Sequence, residues 1–171
     1  GDPRPTAERE ILDYSVIEEN IKGIRSQIDK LFEGKAELVD NYDWTKEYTF
    51  LEFLRDIGKY INVNYMINKD IISRRLETGI TYAEFSYMIL QALDFMYLYE
   101  NRDCVLQVAG SDQWGNIVAG TELSRKMNFH LEGKSTDERP DAFGLTCPLL
   151  MTKEGKKMGK TESGTLWVAR D

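Results

Sequence analysis

The sequence runs to 171 residues, 42% hydrophobic and 30% charged, a mixture that suits one sizeable core and excludes a disordered or fibrous chain. A net charge of −7 opposes broad electrostatic binding of nucleic acid while leaving room for a local basic site. No apolar run approaches the roughly 18 residues of a membrane span, and the opening residues do not read as a secretory signal.

Gly1 to Pro5 reads as a turn, and Thr6 with Arg9 and Glu10 opens a helical stretch. Ile11, Leu12, Tyr14, Ile17, Ile21, Ile24, Ile28 and Leu31 recur at spacings of three and four, predicting an amphipathic helix over 11–33 that stops at Gly34. Asn41-Tyr42-Asp43-Trp44 reads as a turn or short strand end. Phe50 to Tyr60 is a second helix whose end Gly58 weakens, Asn62 to Asn68 is irregular, and Lys69 to Leu76 is a short helix ending near Thr78-Gly79. Thr81 caps the next helix, with Glu84 completing a capping box, and that helix runs to about Tyr99. Cys104–Val108 is continuously apolar, the mark of a strand buried on both faces. A helix over 115–127 follows, then a polar loop over 131–141, a strand-like run over 143–151 and an apolar run Thr165-Leu166-Trp167-Val168. Strand, helix and strand in this order predict part of a parallel α/β sheet with its site beyond the carboxyl ends of the strands. Opening without methionine and closing straight after an apolar run, the sequence is expected to be a piece of a larger protein.

Three places carry candidate chemistry. Tyr87, Gln91 and Asp94 stand at i, i+4 and i+7 and share one face of a helix whose other residues are almost all apolar. Such a polar stripe must be satisfied, either by neighbouring protein groups or by a ligand. Asp94 tilts the reading toward a polar ligand, because no Arg or Lys lies nearby in 76–101 and a lone carboxylate among apolar residues is costly. Gly110-Ser111-Asp112-Gln113 ends the first strand. Glycine there admits a ligand to the backbone and an acid can accept bonds from a ribose, although Asp112 or Asn116 could equally cap the following helix. Finally Lys157 and Lys160 flank Met158 and Gly159, with Thr161 following, in a stretch too glycine-rich for a packed helix. Short lysine clusters are usually solvated, yet two ammonium groups on a loop also suit polyphosphate. Cys104 and Cys147 read as small buried thiols of a reducing compartment. His130, the only histidine, rules out a multi-histidine metal site and is read as surface polar.

In order along the chain, these segments resemble the catalytic domain of bacterial-type tyrosyl-tRNA synthetases, class I enzymes. The resemblance rests on Gly1-Asp2-Pro3 with Glu8-Arg9, Asn41 to Trp44, Val63 to Met66, Glu77 to Ile80, Glu84 to Met88, Gln91 to Phe95, Gly110 to Asn116, and Lys157 to Gly164. It implies the C-terminal part of a Rossmann-like parallel-sheet domain with a mostly helical insertion. Residues 1–34 would end the first Rossmann half, 35–85 would form the insertion and homodimer interface, with Tyr82 a contact, and 86–171 would be the second half.

By the same resemblance Asp2, Tyr87 and Gln91 hold the tyrosine ammonium, Asp94 its phenolic hydroxyl, and Gln107 supports the pocket. Gly110 and Asp112 bind the ATP ribose, Gln113 lies near the reacting carboxylate and α-phosphate, and Lys157, Lys160 and Thr161 form the signature lysine loop. ATP is then a substrate, Mg2+ accompanies it without a protein metal site, tRNA(Tyr) is the acceptor, and the setting is cytoplasmic. A site built to bond a hydroxyl rejects the analogue lacking it, an effect for which tyrosyl-tRNA synthetases are themselves the standard example.

The sequence also departs from that pattern. The family's His-Ile-Gly-His motif, and the tyrosine that shares the phenolic hydroxyl with Asp94, belong ahead of Gly1. Gly-Asp-Pro-Arg-Pro replaces the usual Gly-Asp-Pro-Ser-Gly-Lys, leaving Arg4 as the nearest substitute for the missing lysine; Ala109 stands where glycine is common, and the 131–141 loop is long. A non-catalytic relative serving as an RNA-binding or scaffolding protein is the competing reading. The sister tryptophanyl enzyme is a third, disfavoured by Asp94.

Overall fold

The computed structural model describes residues 12–132 and 142–151 together with Gly155 and Met158. The chain forms two compact units, one of residues 1–9 and 43–148 and the other of 10–42 and 149–171.

In the second unit, helix α1 spans Tyr14–Phe32. It ends where glycine predicted: Glu33 takes the left-handed conformation, its N–H returns to the Asp29 carbonyl, and Gly34 follows at φ +70°. The helix is as expected, but its apolar stripe is largely open, with Ile17, Ile24 and Leu31 all exposed. Tyr14 meets Tyr42 edge to face, ring centroids 5.1 Å apart. Lys157, Lys160, Thr161 and the apolar run at 165–168 lie outside the described residues, as does Asp2 of the other unit.

The stretch from Tyr42 to Thr78 is more helical than its sequence suggests. Tyr42–Thr45 is a helical turn, α2, in place of the turn or strand end expected. Phe50–Glu52 begins α3 behind a Thr49–Glu52 capping box, then widens into a π-helical turn over Phe53–Ile57 and tightens into a 3-10 turn over Gly58–Tyr60. The segment expected to be irregular holds α4, Val63–Ile67, whose first turn Asn62 caps by accepting from the Tyr65 N–H. Five residues are too few to show a hydrophobic period, so only the cap could have signalled it. Helix α5 follows over Asp70–Thr78.

Helix α6, Tyr82–Arg102, starts with the expected Thr81–Glu84 capping box and runs three residues further than predicted. Strand β1 is Leu106–Gly110, a 3-10 turn covers Ser111–Gln113, α7 is Trp114–Glu132 and β2 is Phe143–Cys147. Residues 131–132 thus complete α7 instead of starting a loop, and 133–141 lie outside the described residues. The strands pair in parallel, as predicted, with Gln107 opposite Gly144.

β1 is not buried on both faces. Leu106 and Val108 are 46% and 54% exposed, and their partners Phe143 and Leu145 are 60% and 52% exposed. The other face lies on α7: a Cβ at Gly144 would collide with the buried Ile117 side chain, so only glycine lets β2 lie this close. One face is covered and the other is open among the described residues, so continuous apolarity did not mean two-sided burial. Cys104 and Cys147 are free thiols, and Cys147 is exposed, not buried as expected. Cys104 precedes β1 while Cys147 pairs with Gly110 at its far end, so the parallel register separates them.

The core lies between α6 and α7 and under the 57–66 segment, built on Ile57, Met66, Ala92, Leu93, Met96 and Leu123. Gly120 sets how near the two long helices come. A Cβ there would stand 2.6 Å from Phe95 Cδ1, and Phe95 is fully buried with no room to yield.

A buried ion pair joins α5 to the start of α6. Arg75 Nη1 and Nη2 donate to Glu84 Oε1 and Oε2 at 2.9 and 3.0 Å, and the same guanidinium donates to the Gly79 carbonyl. Both side chains are more than nine-tenths buried. Burial alone pushes the Glu84 carboxyl up, but the Arg75 bond, the Thr81 bonds and the Arg75 charge outweigh it and hold it below the ordinary 4.5. A depressed folded-state pKa stabilises the fold above the unfolded value, and that stability disappears as pH falls through the folded one. Glu84→Gln is therefore expected to cost about 3–5 kcal/mol at neutral pH by leaving the buried Arg75 charge without its carboxylate. Urea denaturation should also show the variant losing less stability than the parent between neutral pH and pH values below 4.5.

Candidate functional site

Tyr87, Gln91 and Asp94 do share one face of α6, each half-buried, between the buried Met88, Ile89, Ala92, Leu93 and Phe95. The spacing alone placed them there. Their partners come from other elements.

Asp94 Oδ1 accepts from the indole Nε1 of Trp44 at 2.9 Å. Trp44 sits on α2 and is itself buried, and its ring stacks on Tyr97 at 4.6 Å with only 10° between planes. The stack fixes the indole plane, and so fixes where its N–H points. The carboxylate that had no local cation thus has a neutral donor from a distant segment. Asparagine-tyrosine-aspartate-tryptophan was legible as a motif, but nothing in its spacing could pair Trp44 with a residue fifty positions away.

Gln91 reaches the end of β1 through α7. Asn116 Nδ2 donates to Gln91 Oε1 and to Gln113 Oε1, both at 2.9 Å, and Gln91 Nε2 donates to Gln113 Oε1 at 3.5 Å. Asn116 was open to a reading as a helix cap. Its side chain instead turns across to α6 and becomes the hub of three carboxamides. Gln113 is carried there by the 3-10 turn between Gly110 and α7. Gly110 itself is extended, φ −66° and ψ 155°, so its backbone conformation alone does not demand glycine. Asp112 is exposed on the same turn.

Gln107 shares its register with Gly144 and so lies on the α7 face of the sheet. Its Oε1 is buried with no hydrogen-bond partner among the described residues, as is the Oγ of Ser86 on α6. Buried acceptors are ordinarily paired, which sets Gln107 Oε1 apart from its neighbours. The structure therefore joins Gln91 with Gln113, gives Asp94 a partner, and leaves Gln107 an open acceptor. Asp2, Lys157, Lys160 and Thr161 lie outside the described residues, and the side chain of His130 is likewise not described. Among the described residues no group of three or more His, Cys, Asp or Glu is placed to hold a metal ion.

Chemically, the network is made of groups that bind and orient. Carboxamides present donors and acceptors at fixed positions and do not exchange protons, which suits a reaction driven by alignment of substrates over one needing a side-chain nucleophile or base.

The family model for class I tRNA synthetases (W and Y) matches residues 1–171. The chain is 48% identical over 173 residues to the tyrosine--tRNA ligase of Listeria monocytogenes serotype 4a, covering 98% of this chain and 39% of that protein. It is 46% identical over 179 residues to the tyrosine--tRNA ligase of Porphyromonas gingivalis, with the same coverages. The chain thus spans 39% of the length of these curated relatives. Among solved structures, a C-terminally truncated Aspergillus nidulans mitochondrial tyrosyl-tRNA synthetase matches with a TM-score of 0.69 and 30% identity, over 94% of this chain and 51% of that one. The Coccidioides posadasii mitochondrial counterpart gives 0.68 and 28%, over 92% and 48%. The chain belongs to the class I tRNA synthetases of the W and Y group.

Trp44→Phe keeps the ring stack and removes the bond to Asp94. Losing a hydrogen bond to a charged acceptor is expected to cost about 1.5–3 kcal/mol, read as a lower urea midpoint with an unchanged m-value.

Proposed function

We propose that this chain forms catalytic machinery of a tyrosine--tRNA ligase. The tyrosine carboxylate attacks the α-phosphate of ATP, its new P–O bond forming as the bond to pyrophosphate breaks, to give tyrosyl-adenylate. The tyrosyl group then passes to the 3′ end of tRNA(Tyr). The observation that carries this reading is Asp94 on the Tyr87–Gln91 face, held by Trp44, with Gln91 linked through Asn116 to Gln113 at the end of β1. One helix then offers a carboxylate for a phenolic hydroxyl and polar groups for an ammonium, while the strand end offers a carboxamide for the reacting carboxylate. The names of the relatives point the same way.

In this reading Asp2 joins Tyr87 and Gln91 around the ammonium, and Gln107 supplies its open acceptor to the pocket. Gly110 and Asp112 take the ribose. Lys157, Lys160 and Thr161 bring positive charge to the phosphates as charge moves onto pyrophosphate. Mg2+ arrives with ATP, held by its phosphates. The division into 1–34, 35–85 and 86–171 stands as part of the proposal, with 35–85 as a homodimer interface. Exposed apolar side chains in that segment support it, among them Phe50, Leu51, Val63 and Tyr82. A cytoplasmic setting is consistent with two free thiols and with no described helix being long and apolar enough to cross a membrane.

Tyrosine-dependent exchange of labelled pyrophosphate into ATP, measured on the full-length protein, tests the proposal. Exchange is expected with tyrosine and not with phenylalanine or tryptophan, and Asp94→Ala is expected to lower kcat/KM for tyrosine about 10–100-fold, as loss of a charge-assisted bond requires. A preference for tryptophan would transfer the assignment to the sister enzyme, and no exchange at all would favour the non-catalytic relative.

A further inference from the structure

Asn116 stands in the first turn of α7, a part of a helix where asparagine usually serves free backbone N–H groups with its carbonyl oxygen. Here its amino group makes the contacts instead. Both hydrogens of Nδ2 are engaged, one by Gln91 Oε1 and one by Gln113 Oε1, each at 2.9 Å. Among side chains of this length only asparagine carries two hydrogens on one uncharged nitrogen; aspartate offers none when ionised and serine offers one. The residue type follows from having two carbonyl oxygens to hold at a single point.

The consequence falls on Gln113, which is half-buried. Its Oε1 accepts from Asn116 and, at 3.5 Å, from Gln91 Nε2, so its acceptor is in use from two sides. Reversing the amide would set Nε2 against Asn116 Nδ2, donor against donor. The amide is thus held in one sense, and the end it leaves open is Nε2, which carries donors only. Among the described residues Nε2 donates to nothing.

We propose that Asn116 is a positioning residue. By holding the oxygen of Gln113, it presents that residue's N–H donors to the anionic oxygens of the reacting carboxylate and α-phosphate. The inference rests on the ligase reading above. An unrestrained glutamine exposes its oxygen as readily as its nitrogen, and an oxygen at that place repels the charge that a donor stabilises. Donors fixed in advance act without reorganisation as charge moves in the reaction. Gln91 also loses a partner when Asn116 is replaced, but in the same reading it shares the ammonium with Tyr87 and Asp2. Loss of Asn116 therefore acts mainly on the rate of activation and less on the binding of tyrosine.

Tyrosine-dependent pyrophosphate exchange on the full-length protein, with kcat and KM resolved, tests the assignment. Asn116→Asp keeps the shape of the side chain and removes both donors, whereas Asn116→Ala leaves room for water to supply one. A role in packing alone predicts that alanine, which empties the position, does at least as much harm. The positioning role predicts the reverse order, with kcat about 100-fold lower for Asn116→Asp and about tenfold lower for Asn116→Ala. KM for tyrosine is expected to stay within about threefold of the parent in both. In a double-mutant cycle with Gln113→Ala, adding Asn116→Ala is expected to lower kcat less than about twofold further, because the amide it orients is gone. Alanine as harmful as aspartate, a loss confined to KM, or an Asn116→Ala effect undiminished beside Gln113→Ala each overturns the proposal. If Asn116→Asp does not fold, the alanine variant and its cycle decide. A parent without tyrosine-dependent exchange overturns the ligase reading and this inference together, whereas an active parent with unimpaired Asn116 variants overturns this inference alone.

Discussion

The close approach of α6 and α7 is the constraint from which most of this molecule follows. α6 must bury an almost wholly apolar surface and still carry three polar residues on one face. Gly120 lets α7 settle against Phe95, which excludes water from the floor between the helices and leaves Asn116 within reach of Gln91. Were the helices held further apart by even one methyl group, the 2.9 Å bonds from Asn116 to both glutamines could not persist together. Packing and site geometry are thus set by the same contact.

The sheet extends that argument to the end of β1. Gly144 lets β2 press onto Ile117 of α7, and the parallel register then puts Gln107 on the same covered face. The short turn after Gly110 delivers Gln113 to Asn116. Helix and strand end are therefore tied by side chains at both levels of the sheet edge, with no flexible segment intervening between β1 and α7. The parts of such an arrangement cannot drift separately.

Local chemistry was legible in the sequence wherever it acts over three or four residues. The Thr81–Glu84 box, the stop at Gly34 and the shared face of Tyr87, Gln91 and Asp94 all depend on such short spacings, and all are present. The failures have one cause as well. α4 is too short for a period to register and depends on a single asparagine cap. The apolar run of β1 could not disclose how many faces are covered, because that depends on which layers pack against it. Trp44 could not be matched to Asp94 by spacing, since a pairing across fifty residues is decided by the fold. Asn116 stood where a cap was chemically reasonable, and only the proximity of α6 gave its carboxamide better partners.

The polar groups of the network differ in how they respond to their surroundings. Gln91, Gln113 and Asn116 are uncharged at any pH the fold survives, so their bonds to one another do not depend on titration. The carboxylate of Asp94 differs from them in kind: it accepts and cannot donate, and it is costly to leave partly satisfied in an apolar helix face. Trp44 occupies one oxygen from a direction fixed by its stack on Tyr97. The indole N–H is a donor only and cannot turn to accept. The carboxylate of Asp94 is therefore held by a donor whose own direction is set by a ring stack, and α2 and α6 are tied together at that point.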